Sequence, residues 1–427
     1  MRTHFRAEHL ADAALAAAEK NLRACVHCGM CTATCPTYVL LGDERDGPRG
    51  RIVMMQKMLE ENGAPSAETV THLDRCLSCL GCRTACPSGV DYARLIDRSR
   101  THIEQHYRRP VGERLLRWTI ANLLTRPALT RIALGLARLA SPLRPLLPLR
   151  LRSMVDTADT MLIGRLHLPA TAGERRIALL PGCVQQVIAP EIDEAVARLL
   201  ARRGISLVPL KGAGCCGALA HHLGREGEAR VWAKRLIEAS ERAAPFEGIL
   251  ITATGCASHI NEYEYLFLDD PEWRSRARAF SEKLLPLDAL LGPAHFHSES
   301  NLRVALQVPC SQQHGLRWPD AGELLQASGF EVLQIPDGHL CCGSAGSYSI
   351  LQPEIASALR ARKLANIAAL KPDVVATTNI GCLQHLSGPD APPIVHVAEL
   401  LDWAEGGPAP GALGHRTQLM TAAERRR

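Results

Sequence analysis

Two copies of one cysteine pattern carry the strongest chemistry in this sequence. The first is Cys25-Val-His-Cys28-Gly-Met-Cys31-Thr-Ala-Thr-Cys35-Pro36; the second is Cys76-Leu-Ser-Cys79-Leu-Gly-Cys82-Arg-Thr-Ala-Cys86-Pro87. Both fit C-x2-C-x2-C-x3-C-P at every position, the ligand run of a bacterial two-cluster ferredoxin. The two-residue gaps set three thiolates around one cuboidal iron–sulfur cluster. The fourth cysteine lies one helical turn on, and the proline keeps that strand of chain from folding back as regular helix. In this architecture the fourth cysteine serves the other cluster. The expected sets are Cys25, Cys28, Cys31 and Cys86 for one [4Fe–4S] cluster, and Cys76, Cys79, Cys82 and Cys35 for the second. Zinc ribbons also use paired C-x2-C, but the third and fourth cysteines at these spacings do not suit a closed tetrahedral site. A disulfide scaffold would be shorter and richer in cysteine.

The other eight cysteines fall into an internal repeat after Ala172, where strands and helices alternate. In the first copy Arg176–Cys183 reads as a buried strand ending in cysteine. An amphipathic helix over Glu191–Arg203 follows, then a strand over Ser206–Leu210 and Gly214-Cys215-Cys216-Gly217. A helix around Val231–Ala239 leads to the strand Gly248–Thr252 and Gly255-Cys256-Ala-Ser-His259. The second copy runs from Leu302 to Cys310, through a helix over Ala321–Ser328 and a strand over Glu331–Ile335, to Cys341-Cys342-Gly343. A long helix over Pro353–Leu370 then precedes the strand Asp373–Thr377 and Gly381-Cys382-Leu-Gln-His385. Cysteine intervals of 32 and 41 residues in one copy match 31 and 41 in the other. Parallel crossovers of this kind place ligands past the carboxyl ends of strands. Cys183, Cys215, Cys216 and Cys256 with His259, and Cys310, Cys341, Cys342 and Cys382 with His385, are therefore candidate sites for further clusters, for zinc or for a redox-active thiol pair. Small buried hydrophobes are the bland alternative.

Several elements must hold these residues. Met1 to Leu22 reads as an alanine-rich helix, Ile52–Leu59 as a helix ended by Asn62-Gly63, and Tyr92–Ile96 as the start of another, giving a helical domain over 1–108. Within it Gly42–Arg51 is a turn-rich basic loop, read either as loop punctuation and a helix N-terminus or as a segment whose Arg45, Arg49 or Arg51 could meet a partner or raise a cluster's potential. Residues 109–172 form a basic amphipathic connector. From Arg108 to Arg152 it has ten arginines and one acidic residue, Glu113, with prolines dividing it into short helices. It suits a membrane surface or a docking partner, or a plain interdomain link. The repeats occupy 173–295 and 296–403, Pro393–Val397 is a candidate last strand, and a disordered tail is expected over 404–427. The fold class is thus α plus α/β.

The 427 residues suffice for two or three domains, and their 46% hydrophobic and 22% charged content is that of a globular protein. A net charge of +5 is too small to argue for nucleic acid. There is no export signal and no apolar run long enough to span a membrane. Sixteen cysteines without an export signal imply a reducing, cytoplasmic setting and metal ligation. No G-x-G-x-x-G follows a strand and no P-loop occurs, so hydride chemistry belongs to a partner.

The chain resembles the iron–sulfur subunit of bacterial glycolate oxidase (glycolate dehydrogenase) over roughly residues 20–400. The most specific portions are Cys25–Tyr38, Leu41-Gly-Asp-Glu44, Gly47-Pro-Arg-Gly-Arg-Ile52 and His72–Cys79. The wider class includes iron–sulfur subunits of anaerobic glycerol-3-phosphate dehydrogenase and of lactate-utilisation complexes, and heterodisulfide reductase. The resemblance implies an electron-transfer subunit, not catalytic alone, that works beside FAD-binding flavoprotein subunits oxidising glycolate or D-lactate. Electrons would pass toward a membrane quinone or similar acceptor, on the inner face of the cytoplasmic membrane. In heterodisulfide reductase the repeat ends in C-x2-C and holds a non-cubane cluster. Here His259 and His385 stand in the last cysteine's place, which argues against a complete non-cubane site and leaves a four-cysteine site, with or without histidine.

Overall fold

The computed structural model describes residues 1–142, 163–168, 173–243, 245–292 and 302–414. The expected helix over Met1 to Leu22 begins only at Ala13. The Asp12 carboxylate accepts from the amides of Ala14 and Leu15 at 2.9 and 3.0 Å and so caps the helix Ala13–Ala24. Leu15, Ala18 and Leu22 pack against Met55 and Leu59 of helix Pro48–Glu61 and against Leu95, Ile96 and Ile103 of helix Tyr92–His106. Asn62, left-handed at φ 50°, ends Pro48–Glu61 where the sequence places the stop.

The connector forms two helices, Val111–Leu123 and Pro127–Leu139, with Pro127 opening the second at its first turn rather than interrupting it. Asp74 receives Arg109 at 2.5 Å and Arg117 at 2.9 Å, which ties the first of them to the helical domain. Leu115, Trp118, Ile132, Leu136 and Leu139 remain 55–78% exposed. Residues 143–162 and 169–172 of the expected connector lie outside the described residues.

Each repeat is a four-stranded parallel sheet. The first has strands β1 (Arg175–Leu179), β2 (Ile205–Pro209), β3 (Gly248–Leu250) and β4 (Leu284–Leu285) in the order β2-β1-β3-β4. The second has β5 (Arg303–Gln307), β6 (Glu331–Gln334), β7 (Val374–Thr377) and β8 (Ile394–His396) in the order β6-β5-β7-β8. β8 answers the candidate strand at Pro393–Val397. Its counterpart β4, only two residues long, was not legible: Leu284-Leu285 has no strand period of its own. Helices Glu191–Ala201, Glu226–Arg242 and Pro353–Leu370 cross over as expected. A common core joins the copies, with Ile177, Val196 and Leu207 beside Val304, Val374 and Leu401. Arg198 and Arg202 of the first copy close on buried Asp402 of the second at 2.7 and 2.8 Å. Of the expected disordered tail, the part up to Gly414 is structured. Helix Val397–Ala404 runs into a turn, and Leu413 is buried in the shared core. The rest of that tail lies outside the described residues.

Candidate functional site

Both cysteine motifs wind through the same unusual backbone. His27 and Gly29 in the first, and Ser78 and Leu80 in the second, all have positive φ, between 53° and 82°. Left-handed residues in such turns turn successive amides toward one concave side, which suits anionic ligands. Leu80 adopts the conformation despite its side chain, a local strain of about 1 kcal/mol or more.

Two cavities result. One is lined by Cys25, Cys28, Cys31 and Cys86, with Cys82 also in its wall, and the other by Cys35, Cys76, Cys79 and Cys82; with their open mouths included they span about 430 and about 320 Å³. Each takes three cysteines of one motif and is closed by the other motif, the first by Cys86 and Cys82 and the second by Cys35. Pro48, Cys82 and Tyr92 border both, so the cavities share a wall. All sixteen cysteines are free thiols. The Tyr92 hydroxyl is enclosed there without a hydrogen-bond partner among the described residues. A cluster sulfide would supply the missing acceptor, so the donor set fits iron–sulfur ligation. Burial raises the Cys31 thiol to about 11 and pushes Cys79 and Cys82 well above the usual thiol range. These thiols would release their protons only to a metal.

The three arginines of the basic loop separate in space. Arg45 is exposed and paired with Asp43 and Glu68. Arg49 lines the first cavity beside Glu44 at 2.6 Å. Arg51 is 1% exposed and lines the second cavity, with Nη1 3.9 Å from Cys35 Sγ and 3.1 Å from Thr37 Oγ1. Burial opposes its charge, but Cys76, Tyr92, Cys35 and Asp46 around it more than offset that and hold the guanidinium charged. Asp46, bound by Arg51, Arg75 and His72, anchors this assembly.

In the repeats the cysteines sit past the strand ends as expected. Cys183 and Cys215 Sγ atoms are 3.6 Å apart, Cys310 and Cys341 3.8 Å, and Cys342 and Cys382 3.2 Å. Hydrogen bonds from Cys215 and Cys256 hold Cys216 well below the usual thiol range, while Cys215 and Cys256 are raised. Gly217 and Gly343 take φ of 84° and 99°. A Cβ on Gly343 would stand 2.7 Å from Ala356 O, so the glycine of Cys-Cys-Gly is required by both backbone and space. The second quartet adjoins the helical domain: Cys79 packs in one cluster with Cys310, Cys341 and Cys342. Thr84 Oγ1 meets His314 Nδ1 at 2.8 Å there, and the Tyr348 hydroxyl donates to Arg75 O at 2.9 Å.

The two histidines after the last cysteines part company. His385 Nε2 lies 3.3 Å from the Ala356 carbonyl. His259 lies beside His221, their rings tilted by 37° with centroids 4.9 Å apart, and His222 and Tyr263 are also near it. Burial lowers His222 to about 3 and His259 well below its ordinary value. Sequence reading overlooked His221, His222 and His314. The only available signal was the paired histidine four residues after Cys-Cys-Gly, and it has no meaning until the fold supplies its neighbours.

A family model of the 4Fe-4S dicluster domain matches residues 21–90, and one of a cysteine-rich domain matches residues 177–261 and 304–387. The glycolate oxidase iron–sulfur subunit of Escherichia coli (strain K12) is 38% identical over 410 residues, covering 95% of this chain and 99% of that protein. A protein of Bacillus subtilis (strain 168) described as a probable glycolate oxidase iron–sulfur subunit is 32% identical, covering 91% and 95%. Lactate utilization protein A of the same organism is 24% identical over 53% of this chain.

Proposed function

The chain belongs to the family of glycolate oxidase iron–sulfur subunits, and from that premise we propose that it is the electron-transfer subunit of a multisubunit glycolate dehydrogenase. FAD-containing partner subunits would oxidise glycolate, and a membrane quinone-type acceptor would receive the electrons. The observation that carries the reading is the pair of adjoining cysteine-lined cavities, each combining three cysteines of one motif with cysteine from the other. Cys25, Cys28, Cys31 and Cys86 would hold one [4Fe–4S] cluster, and Cys76, Cys79, Cys82 and Cys35 the other. Bound there, such clusters supply one-electron transfer without proton chemistry.

The chain's own residues prepare these sites. Arg51 offsets the charge of Cys35 and Cys76 from inside a buried wall, and Arg49 does the same from the rim of the first cavity. Cys28 is exposed, and Val26 and Met30 beside it are 67% and 59% exposed. That rim is the face a flavoprotein would approach. The exposed apolar stripes of Val111–Leu123 and Pro127–Leu139, flanked by arginines, would seat the complex on a cytoplasmic membrane face as a peripheral element. No helix among the described residues is long and apolar enough to cross a membrane.

The test is reconstitution. The isolated chain is expected to leave glycolate unoxidised, and adding the flavoprotein subunits to restore glycolate-dependent acceptor reduction; turnover by the chain alone overturns the reading. Running the same assay with D-lactate decides between the two substrates. A second reading, thiol–disulfide chemistry in the repeats, draws support from Cys216, whose thiolate is favoured by donors on both sides. Turnover of a disulfide by the isolated chain would favour it.

A further inference from the structure

We propose that Asp97, His221, His222 and His259 form a binding site for one divalent cation of the zinc class, at the seam between the helical domain and the first repeat and separate from the sixteen cysteines. The four residues come from three elements. Asp97 lies on helix Tyr92–His106, His221 and His222 end the helix Ala218–His222 that follows the Cys-Cys-Gly turn, and His259 ends helix Thr254–Ile260 beyond β3. Candidate ligand atoms of Asp97, His221 and His222 all lie within 4.8 Å of one another. Zinc–nitrogen and zinc–oxygen bonds of about 2.0–2.1 Å put tetrahedral ligand atoms roughly 3.4 Å apart. Small side-chain rotations therefore close this group on an ion. The His259 ring, its centroid 4.9 Å from that of His221, lies beside this group and would swing in as the fourth ligand.

Unmet bonding capacity distinguishes this group from an ordinary packed histidine cluster. His222 Nδ1 and His259 Nε2 are enclosed and have no hydrogen-bond partner among the described residues, and His259 as a whole is only 6% exposed. A buried nitrogen left without a partner loses the bonds it made to water and regains none. Tyr263, edge-on to His259, cannot serve it through its hydroxyl, which donates to the Cys216 carbonyl at 2.5 Å. Asp97 forms no ion pair among the described residues, although three arginines share its helix. Arg94 is taken by Glu262 and Asp91, Arg98 by Asp12, and Arg100 by Ser78 and the Cys76 carbonyl. A carboxylate and three imidazoles gathered at one seam, two of them with an enclosed and unpartnered nitrogen, suit a borderline metal ion. Four protein ligands make the site closed, hence structural: it would clamp helix Tyr92–His106 to the repeat whose thiols begin next door.

Full-length protein purified anaerobically is assayed for zinc beside iron and sulfide, and zinc-depleted protein is titrated with Co²⁺. The expected result is one tightly held zinc per chain, and a cobalt form with visible d–d absorption but without the near-ultraviolet thiolate-to-cobalt charge-transfer bands that a cysteine site produces. Asp97→Asn, isosteric and neutral, should weaken cobalt binding by roughly 100-fold or more, and His222→Ala should abolish it, with iron and sulfide unchanged in both. Failure of the chain to bind zinc or cobalt overturns the proposal. So does binding that carries thiolate charge transfer and survives both substitutions. Should His222→Ala also lose its iron through misfolding, Asp97→Asn alone decides. The iron content, read in the same samples, reports on the proposed clusters independently.

Discussion

The two cysteine-rich copies present the same four thiols in different surroundings. In the first, the quartet is walled by Tyr263 and borders the imidazoles of His221, His222 and His259, while neighbouring thiols donate to Cys216. In the second, the quartet touches Cys79 of the ferredoxin-like region and lies near Lys363, which is 3% exposed with its ammonium donating to the Asp337 carbonyl at 3.0 Å. One helix accounts for the lysine. Ala229 and Ala356 carry the carbonyls that approach the two Cys-Cys-Gly glycines, and seven residues beyond them stand Leu236 and Lys363 respectively. The two copies share four cysteines, and the side chains around them make one copy a neighbour of the ferredoxin-like region and the other a seam of histidines.

The sharpest way to break that comparison is at Cys79. Cys79→Ser is expected to remove one cluster, about four of about eight iron atoms, abolish electron flow, and alter the alkylation rates of Cys310 and Cys341. Cys28→Ser should lose as much iron and leave both copies unchanged. Iron analysis with mass-spectrometric thiol mapping reads both, and full iron in either variant would refute the crosswise ligand sets.

Next in size are the glycines. Gly343→Ala meets Ala356 O at 2.7 Å, and Gly217→Ala meets Ala229 O at 3.1 Å, both at positive φ. Losses of about 3 and about 1 kcal/mol are expected from strain of this kind, visible in denaturant midpoints. Equal losses would mean that the two turns are not differently packed.

Smaller still is a pH effect centred on Asp193 of the first copy. Asp193 is buried, bonded by Thr252 at 2.5 Å and Gln185 at 3.0 Å, and desolvation raises it from 3.8 to about 7. The folded chain therefore keeps a proton that the unfolded chain has released between these values. Stability from the neutral carboxyl is present below about pH 4 and drains away as pH rises toward 7. Asp193→Asn should gain on the parent protein across that window, by on the order of 1–2 kcal/mol after relaxation, in melting temperatures taken from pH 5 to 8. His396, lowered to about 4 by burial, works in the opposite sense in both proteins and cancels in the difference.

The smallest effect belongs to Lys363→Met. Removing the cation near Cys342, Cys341 and Cys382 should slow alkylation of the second quartet by a few-fold and leave the first untouched.

Much of this molecule was written locally. The two ferredoxin-like runs, the paired Cys-Cys-Gly turns, the helix stop at Asn62 and the long helix Pro353–Leu370 each depend on neighbours within a few residues, so period and spacing expose them. Tertiary structure alone decided the rest. β4 is a strand only because β3 pairs with it. Arg51 could be told from Arg45 only once helix Pro48–Glu61 had turned the Arg51 guanidinium toward Cys35 while the preceding turn, Glu44–Asp46, left Arg45 at the surface. His259 and His385, identical in sequence position, differ because the residues that meet them, His221 and His222 in one copy and Ala356 in the other, lie on other helices. Spacing along the chain determines which donors are close in number. Burial and long-range packing determine which are close in space, and chemistry follows the second.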